Sequence, residues 1–215
     1  QLTSMCARAD HALSVDFRSL ALEPVPLPLE AAGVALLVID TRSPHQLAEG
    51  AYAERRRNCH DAARLLGVSS LRDASAELLP RLAAHPLEQR RARHVIAENQ
   101  RVEASLAILR AAAAGGAAAR LAELGPLLSA SHASLRDDFE VTVPRLDVAA
   151  ETAERAGALG ARMVGGGFGG SVLALVPKDT GTNVARAIAD AYAARGWDEP
   201  RCFVASPGPG AARLS

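Results

Sequence analysis

The chain has 215 residues, with 24 Lys+Arg against 24 Asp+Glu and a formal net charge of zero. That length can bury a sizeable core as one large domain or two small ones, and the charge balance leaves no bulk field to attract nucleic acid or an anionic membrane. Cys6, Cys59 and Cys202 are odd in number, far apart and outside any CxxC pair, so they read as free thiols; with no signal peptide and no apolar run of membrane-spanning length, a soluble, cytoplasmic protein is expected.

The opening QLTSMCARAD reads as a helix already under way, with no cap before it. His11–Phe17 then alternates, Leu13, Val15 and Phe17 on one face and Ser14 and Asp16 on the other, which predicts a half-buried strand. Pro24, Pro26 and Pro28 confine the next stretch to an edge strand or a linker. Ala35–Ile39 is a buried strand ending in Asp40, Thr41 and Arg42, and substrate-facing loops often begin at such a strand end.

Gln46–Leu66 is a helix with Leu47, Ala51, Cys59, Ala62 and Leu66 on one stripe and Gly67 as its stop. Tyr52 lies beside that stripe in the first turns, and Arg55, Arg56 and Arg57 read as a solvated face. A short helix over Ser75–Ala84 precedes a long one opened by Pro86 and running to Ala114, with Val95, Val102, Leu106 and Leu109 at heptad-like spacing. Gly115 and Gly116 break it, and Ala117–Ser129 is the antiparallel return, kinked near Gly125 and Pro126. Ser131–Asp147 is unusually polar for a helix-to-helix connection, with His132, Arg136 and Asp137 suited to one hydrogen-bond network. Asn183–Arg195 is a last helix and Cys202–Ala205 a last strand. Strands interleaved with helices in this way predict an α+β protein, a mainly antiparallel sheet covered by helices.

The most distinctive stretch is Gly160–Pro177, GARMVGGGFGGSVLALVP. Apolar residues from Leu146 to Leu159 recur at helical spacing before it and an apolar run follows, which predicts the order helix, glycine loop, strand. Gly165, Gly166, Gly167, Gly169 and Gly170 flank Phe168. Such a loop is either a tight turn before a core strand or a nest of N–H groups that approaches an anion. No Lys-Ser/Thr follows, so it is not a Walker loop. The six histidines show no HxxxH or HExxH spacing, and His94 with Glu98 reads as a surface pair.

GARMVGGGFGGSVLALV resembles the third signature of the GHMP kinases, and SHASLRDDFEVTVPRLD and HQLAEGAYAERRRNC are similar to stretches typical of the galactokinases within that superfamily. The opening QLTSMCARADHALSVDFRSL is similar to the segment after the family's GxMDQ motif. The resemblance implies a GHMP-kinase C-terminal domain over residues 31–215, a ferredoxin-like core with extra helices, and a remnant of an N-terminal kinase domain over residues 1–30. It implies transfer of the ATP γ-phosphoryl group to the C1 hydroxyl of galactose with Mg²⁺, a reaction that needs a positioned nucleophile, a triphosphate cradle and cations. In the family the cradle, the EHxDY-type clamp and the catalytic Asp lie upstream, and Gln1 falls where the residue after that Asp belongs. By the same resemblance Tyr52 helps to bind the sugar, Gly165, Gly166, Gly167, Gly169 and Gly170 line the site, and Phe168 is a packing plug. No catalytic residue and no metal ligand is assigned to the chain, and Asp40, Thr41 and Arg42 depart from the Asn-containing version of some relatives. The expected partners are galactose, ATP and an N-terminal domain, without which the chain is predicted inactive. A non-catalytic sugar/ATP sensor, a sibling kinase acting on another sugar, and an inert fragment are the alternative readings.

Overall fold

The computed structural model describes residues 2–44 and 48–211. The elements run α1 (Leu2–Cys6), β1 (His11–Asp16), β2 (Ala21–Pro26), β3 (Val34–Ser43), α2 (Ala48–Leu66), α3 (Pro86–Ala114), α4 (Ala117–Ala122), α5 (Leu124–Ser134), α6 (Pro144–Arg155), β4 (Gly160–Val164), β5 (Gly170–Pro177), α7 (Gly181–Ala193) and β6 (Arg201–Ala205). Two 3-10 segments, Leu71–Asp73 and Ala76–Leu82, link α2 to α3, and a π segment, Leu135–Phe139, continues α5. The predicted start of α2 at Gln46 and Leu47 lies outside the described residues.

Four strands form one sheet in the order β4-β5-β3-β6, every neighbouring pair antiparallel. With α6 between β3 and β4, and α7 between β5 and β6, this is the split β-α-β order of a ferredoxin-like core. The sequence explains which face is covered. Leu37 and Ile39 of β3 and Val172, Ala174 and Val176 of β5 alternate onto one face, and α6 and α7 close over it. Leu146, Ala149, Ala150 and Ala153 of the predicted α6 stripe are buried there, as are Val184 and Ile188 of α7. Tyr192 is fully buried with them, its hydroxyl donating to the Arg145 carbonyl at 2.5 Å and its ring edge-on to Trp197.

One expectation fails. The helix before the glycine run stops at Arg155, and the five residues preceding the loop are a strand, β4. Gly157 ends the helical path with φ +106, a conformation an L side chain resists. The glycines therefore join two antiparallel neighbours, β4 and β5, as a hairpin.

β1 and β2 form a separate two-stranded sheet, register His11↔Pro26 to Asp16↔Ala21. Val25 buries against Leu109 and Ala112 of α3, Leu121 of α4 and Leu175 of β5. Ion pairs tie the hairpin down: Arg72 grips both oxygens of Asp16, Arg18 reaches Asp73 at 2.9 Å, and Arg110 reaches Glu23 at 2.7 Å. A third cluster joins Ala62 and Leu66 of α2 to Leu71, Leu82, and Ala92 and Ile96 of α3. Val102, expected on the buried stripe of α3, is 49% exposed. It lines a groove of about 330 Å³ between α3 and β1, with Val15 and Phe17 opposite, because the hairpin stands off from this part of the helix. Among the described residues no helix is long and apolar enough to cross a membrane.

Candidate active site

Tyr52, one turn into α2, meets the glycine hairpin. Its hydroxyl donates to the Gly167 carbonyl at 3.4 Å, and its ring lies edge-on to Phe168 with centroids 5.5 Å apart. A Cβ on Gly166 would stand 2.0 Å from the Tyr52 hydroxyl oxygen, so only glycine lets the tyrosine close on the loop here. Tyr52 is 38% exposed and Gly165 and Gly166 are exposed beside it, which makes this an open face with an aromatic wall.

The rest of the loop is anchored from two sides. The buried Thr41 hydroxyl donates to the Gly170 carbonyl at 2.5 Å, where β3 bulges between Asp40 and Ser43. The Phe168 N–H donates to the Val141 carbonyl at 2.7 Å, and a Cβ on Gly167 would meet that same oxygen at 2.3 Å. Phe168 packs against the core in the left-handed region, φ +58, so its side chain is the plug predicted. Since the Phe168 N–H points inward, the loop offers no unbroken row of donors to an anion; the tight-turn reading fits better.

Behind the loop lies the segment Asp138–Val141, tied to it through the Phe168 N–H to Val141 carbonyl bond. The α5 helix ends here, and its last carbonyls lack intrahelical donors. Arginines from two other helices supply them. Arg91 of α3 donates to the Asp138 carbonyl at 2.5 Å, and Arg55 of α2 donates to Phe139 O at 2.6 Å and Glu140 O at 2.9 Å. Positive charge at a helix C-terminus is favoured by the helix dipole as well. Glu140, left-handed at φ +54, carries a carboxylate held by Arg91 at 2.6 Å and Arg90 at 3.0 Å. The Arg91 hydrogen bond keeps that carboxyl below its ordinary range, while burial pulls the Arg55 guanidinium below its own. Arg56 and Arg57 do face solvent as expected, but Arg55 does not. Its position three residues after Tyr52, on one helix face, was the available signal.

Two histidines also differ from expectation. His94 is buried at 6% exposure, its Nδ1 2.9 Å from the Ser134 hydroxyl and its ring stacked on Phe139. Glu98, its supposed surface partner, instead binds Ser131, Arg101 and Arg162. Burial raises the Glu98 carboxyl, and these three partners outweigh it, leaving it below the ordinary value. His132 does not join Arg136 and Asp137. Its Nδ1 accepts from the Met163 N–H at 3.1 Å and its Nε2 lies 3.2 Å from Asp147, whereas Arg136 pairs with Asp137 and Glu151.

No cluster of three or more His, Cys, Asp or Glu residues suited to a metal ion occurs among the described residues.

Comparison with known proteins agrees with the architecture. Residues 109–194 match the family model for the C-terminal region of the GHMP kinases. A galactokinase of Streptomyces coelicolor is 45% identical over 100% of this chain and 54% of its own length, and one of Mycobacterium bovis is 47% identical over 98% and 57%. The crystal structure of Lactococcus lactis galactokinase complexed with galactose superposes with a TM-score of 0.83 at 34% identity, over 96% of this chain and 53% of that one. The chain thus spans about half the length of the curated relatives it matches. The fold is that of a GHMP kinase C-terminal domain, and the chain is similar to the galactokinases over about half of their length.

Proposed function

We propose that this chain is the C-terminal part of a galactokinase, which transfers the γ-phosphoryl group of ATP to the C1 hydroxyl of galactose in the cytoplasm. In this reading residues 1–30 belong with a preceding kinase domain and residues 31–215 form the C-terminal domain. Tyr52 binds the sugar through its hydroxyl and ring, and Gly165, Gly166, Gly167, Gly169 and Gly170 wall the site. The observation that carries the proposal is the contact of Tyr52 with the Gly166–Gly167 backbone, because two motifs 115 residues apart converge on one exposed face. ATP, Mg²⁺ and the catalytic carboxylate are then held by the other half.

With the base and the triphosphate cradle assigned to the other half, the chain alone is expected not to lower the barrier by the roughly 8 kcal/mol or more that enzymes supply. The test mixes it with the separately purified N-terminal half of the Streptomyces coelicolor galactokinase and follows galactose-dependent ADP release. Turnover in the mixture, and none from either piece, is expected. A mixture of two folded pieces that form a complex yet stay inactive would overturn the reading, as would turnover by the chain alone.

A further inference from the structure

Arg55 sits one helical turn from Tyr52 on the same face of α2 and is 13% exposed at its side chain. Each of its three nitrogens lies near a protein oxygen. Nε and Nη2 bind the Phe139 and Glu140 carbonyls, Nη1 lies 3.5 Å from Glu54, and the guanidinium carbon is 6.0 Å from the centre of the Phe168 ring. The two carbonyl bonds fix the direction of the guanidinium toward the loop, so positioning is the role this geometry favours. What Arg55 can do is fix the segment that follows. Val141 comes directly after the two gripped residues, and its carbonyl accepts the Phe168 N–H at the centre of the glycine hairpin. On the far side Arg91 and Arg90 clamp the Glu140 carboxylate.

We propose that Arg55 is a positioning residue: by gripping Phe139 and Glu140 it sets the Val141 carbonyl, and through Phe168 the height of the glycine hairpin against Tyr52. The helix that presents the aromatic wall thus also locates the loop opposite it, and the gap between them is held at a fixed width. The consequence for sugar binding rests on the galactokinase reading above; the mechanical link from Arg55 to Phe168 does not.

Two measurements separate these parts. In the 215-residue chain, amide exchange at Phe168 should quicken about tenfold in Arg55→Met while amides of the β3–β5 ladder keep their protection, since only the local opening changes. Arg55→Lys, a point charge that can reach one carbonyl but not both in a fork, should fall between. Glu140→Gln, which keeps side-chain size and weakens the brace on the other side, should shift Phe168 in the same direction by less and serves if Arg55→Met does not fold. In the reconstituted mixture, Arg55→Met should raise the galactose KM about tenfold, roughly one net hydrogen bond of misplacement, with the ATP KM unchanged. Unaltered exchange at Phe168 in a folded variant overturns the proposal, and so does a rise in exchange spread evenly over the sheet. An equal rise in both KM values would do so too. A wild-type mixture that never releases ADP sinks the galactokinase reading instead, leaving the exchange experiment to decide the link.

Discussion

His94 shows how much a single side chain's surroundings matter. A glutamate four residues away favours a protonated imidazole, but here burial pushes His94 down from 6.5 to about 4. Its folded value lies below its unfolded one, so on acidification the unfolded chain takes up the proton first. Stability is unaffected above pH 6.5, falls as pH drops toward about 4, and levels off below; the loss integrates to about 3 kcal/mol. Urea unfolding at pH 7 and pH 4.5 should show this loss in the wild type and much less of it in His94→Gln. Equal losses in both would place the acid sensitivity elsewhere. The sequence could not reveal this residue because helical spacing reports which residues share a face, not whether a neighbour such as Phe139 covers it. Tyr52 and the glycines were singled out by their resemblance to family motifs, and the structure brings them into contact. Arg55 was not, since a run of three arginines says nothing about which one a distant carbonyl will capture.

At the scale of elements, the long helix α3 was bounded correctly at both ends because proline at its first position and a glycine pair after its last leave little latitude. β4 escaped notice because Ala158 and Leu159 prolong the apolar stripe of α6 past its true end. Its neighbour α5 adds a constraint invisible to any pattern. A Cβ on Gly125 would lie 2.0 Å from the Leu159 carbonyl oxygen, and one on Gly160 would lie 2.1 Å from that of Gly125. Helix and strand meet backbone to backbone, with no flexible side chain between to yield. Gly125→Ala should therefore destabilise the chain by about 3 kcal/mol, the upper range of overpacking, and Gly160→Ala by a similar amount. Together they should cost less than the sum, since either one already forces the two elements apart. Chemical denaturation of the three variants checks this, and a neutral Gly125→Ala would show that α5 can retreat freely. The return helix breaks between α4 and α5 just before Gly125, as the kink read there implies, and Gly125 is also the point of closest approach.

For the molecule as a whole, the β1–β2 hairpin is anchored by Val25 but leaves much of β2 exposed. Pro24 and Pro26 remove N–H donors from β2, which blunts that strand for further pairing. Its tip is another matter: Phe17 is 77% exposed and Leu20 65%. The isolated chain is expected to self-associate through this tip at high concentration, and Phe17→Glu should shift sedimentation equilibrium toward monomer. If Phe17→Glu leaves the association constant unchanged, the contact lies elsewhere. Fold class and strand number were nearly all readable from sequence, because apolar periodicity fixes what each element buries. Which elements stand next to each other was not, since that depends on side chains meeting across long separations.

The helix α3, 29 residues long, joins in one rod what would otherwise be separate compartments. Its first turns hold Ala92 and Ile96 in the cluster beneath Tyr52's helix, and its last hold Leu109 and Ala112 under the β1–β2 hairpin, about 20 Å away along the axis. Beside the first pair, Arg91 and His94 brace the end of α5. Because one helix packs both clusters, loss of the hairpin is expected to lower amide protection around the glycine loop as well. Whatever steadies the hairpin from outside will, by the same rod, stiffen the far face where the tyrosine stands.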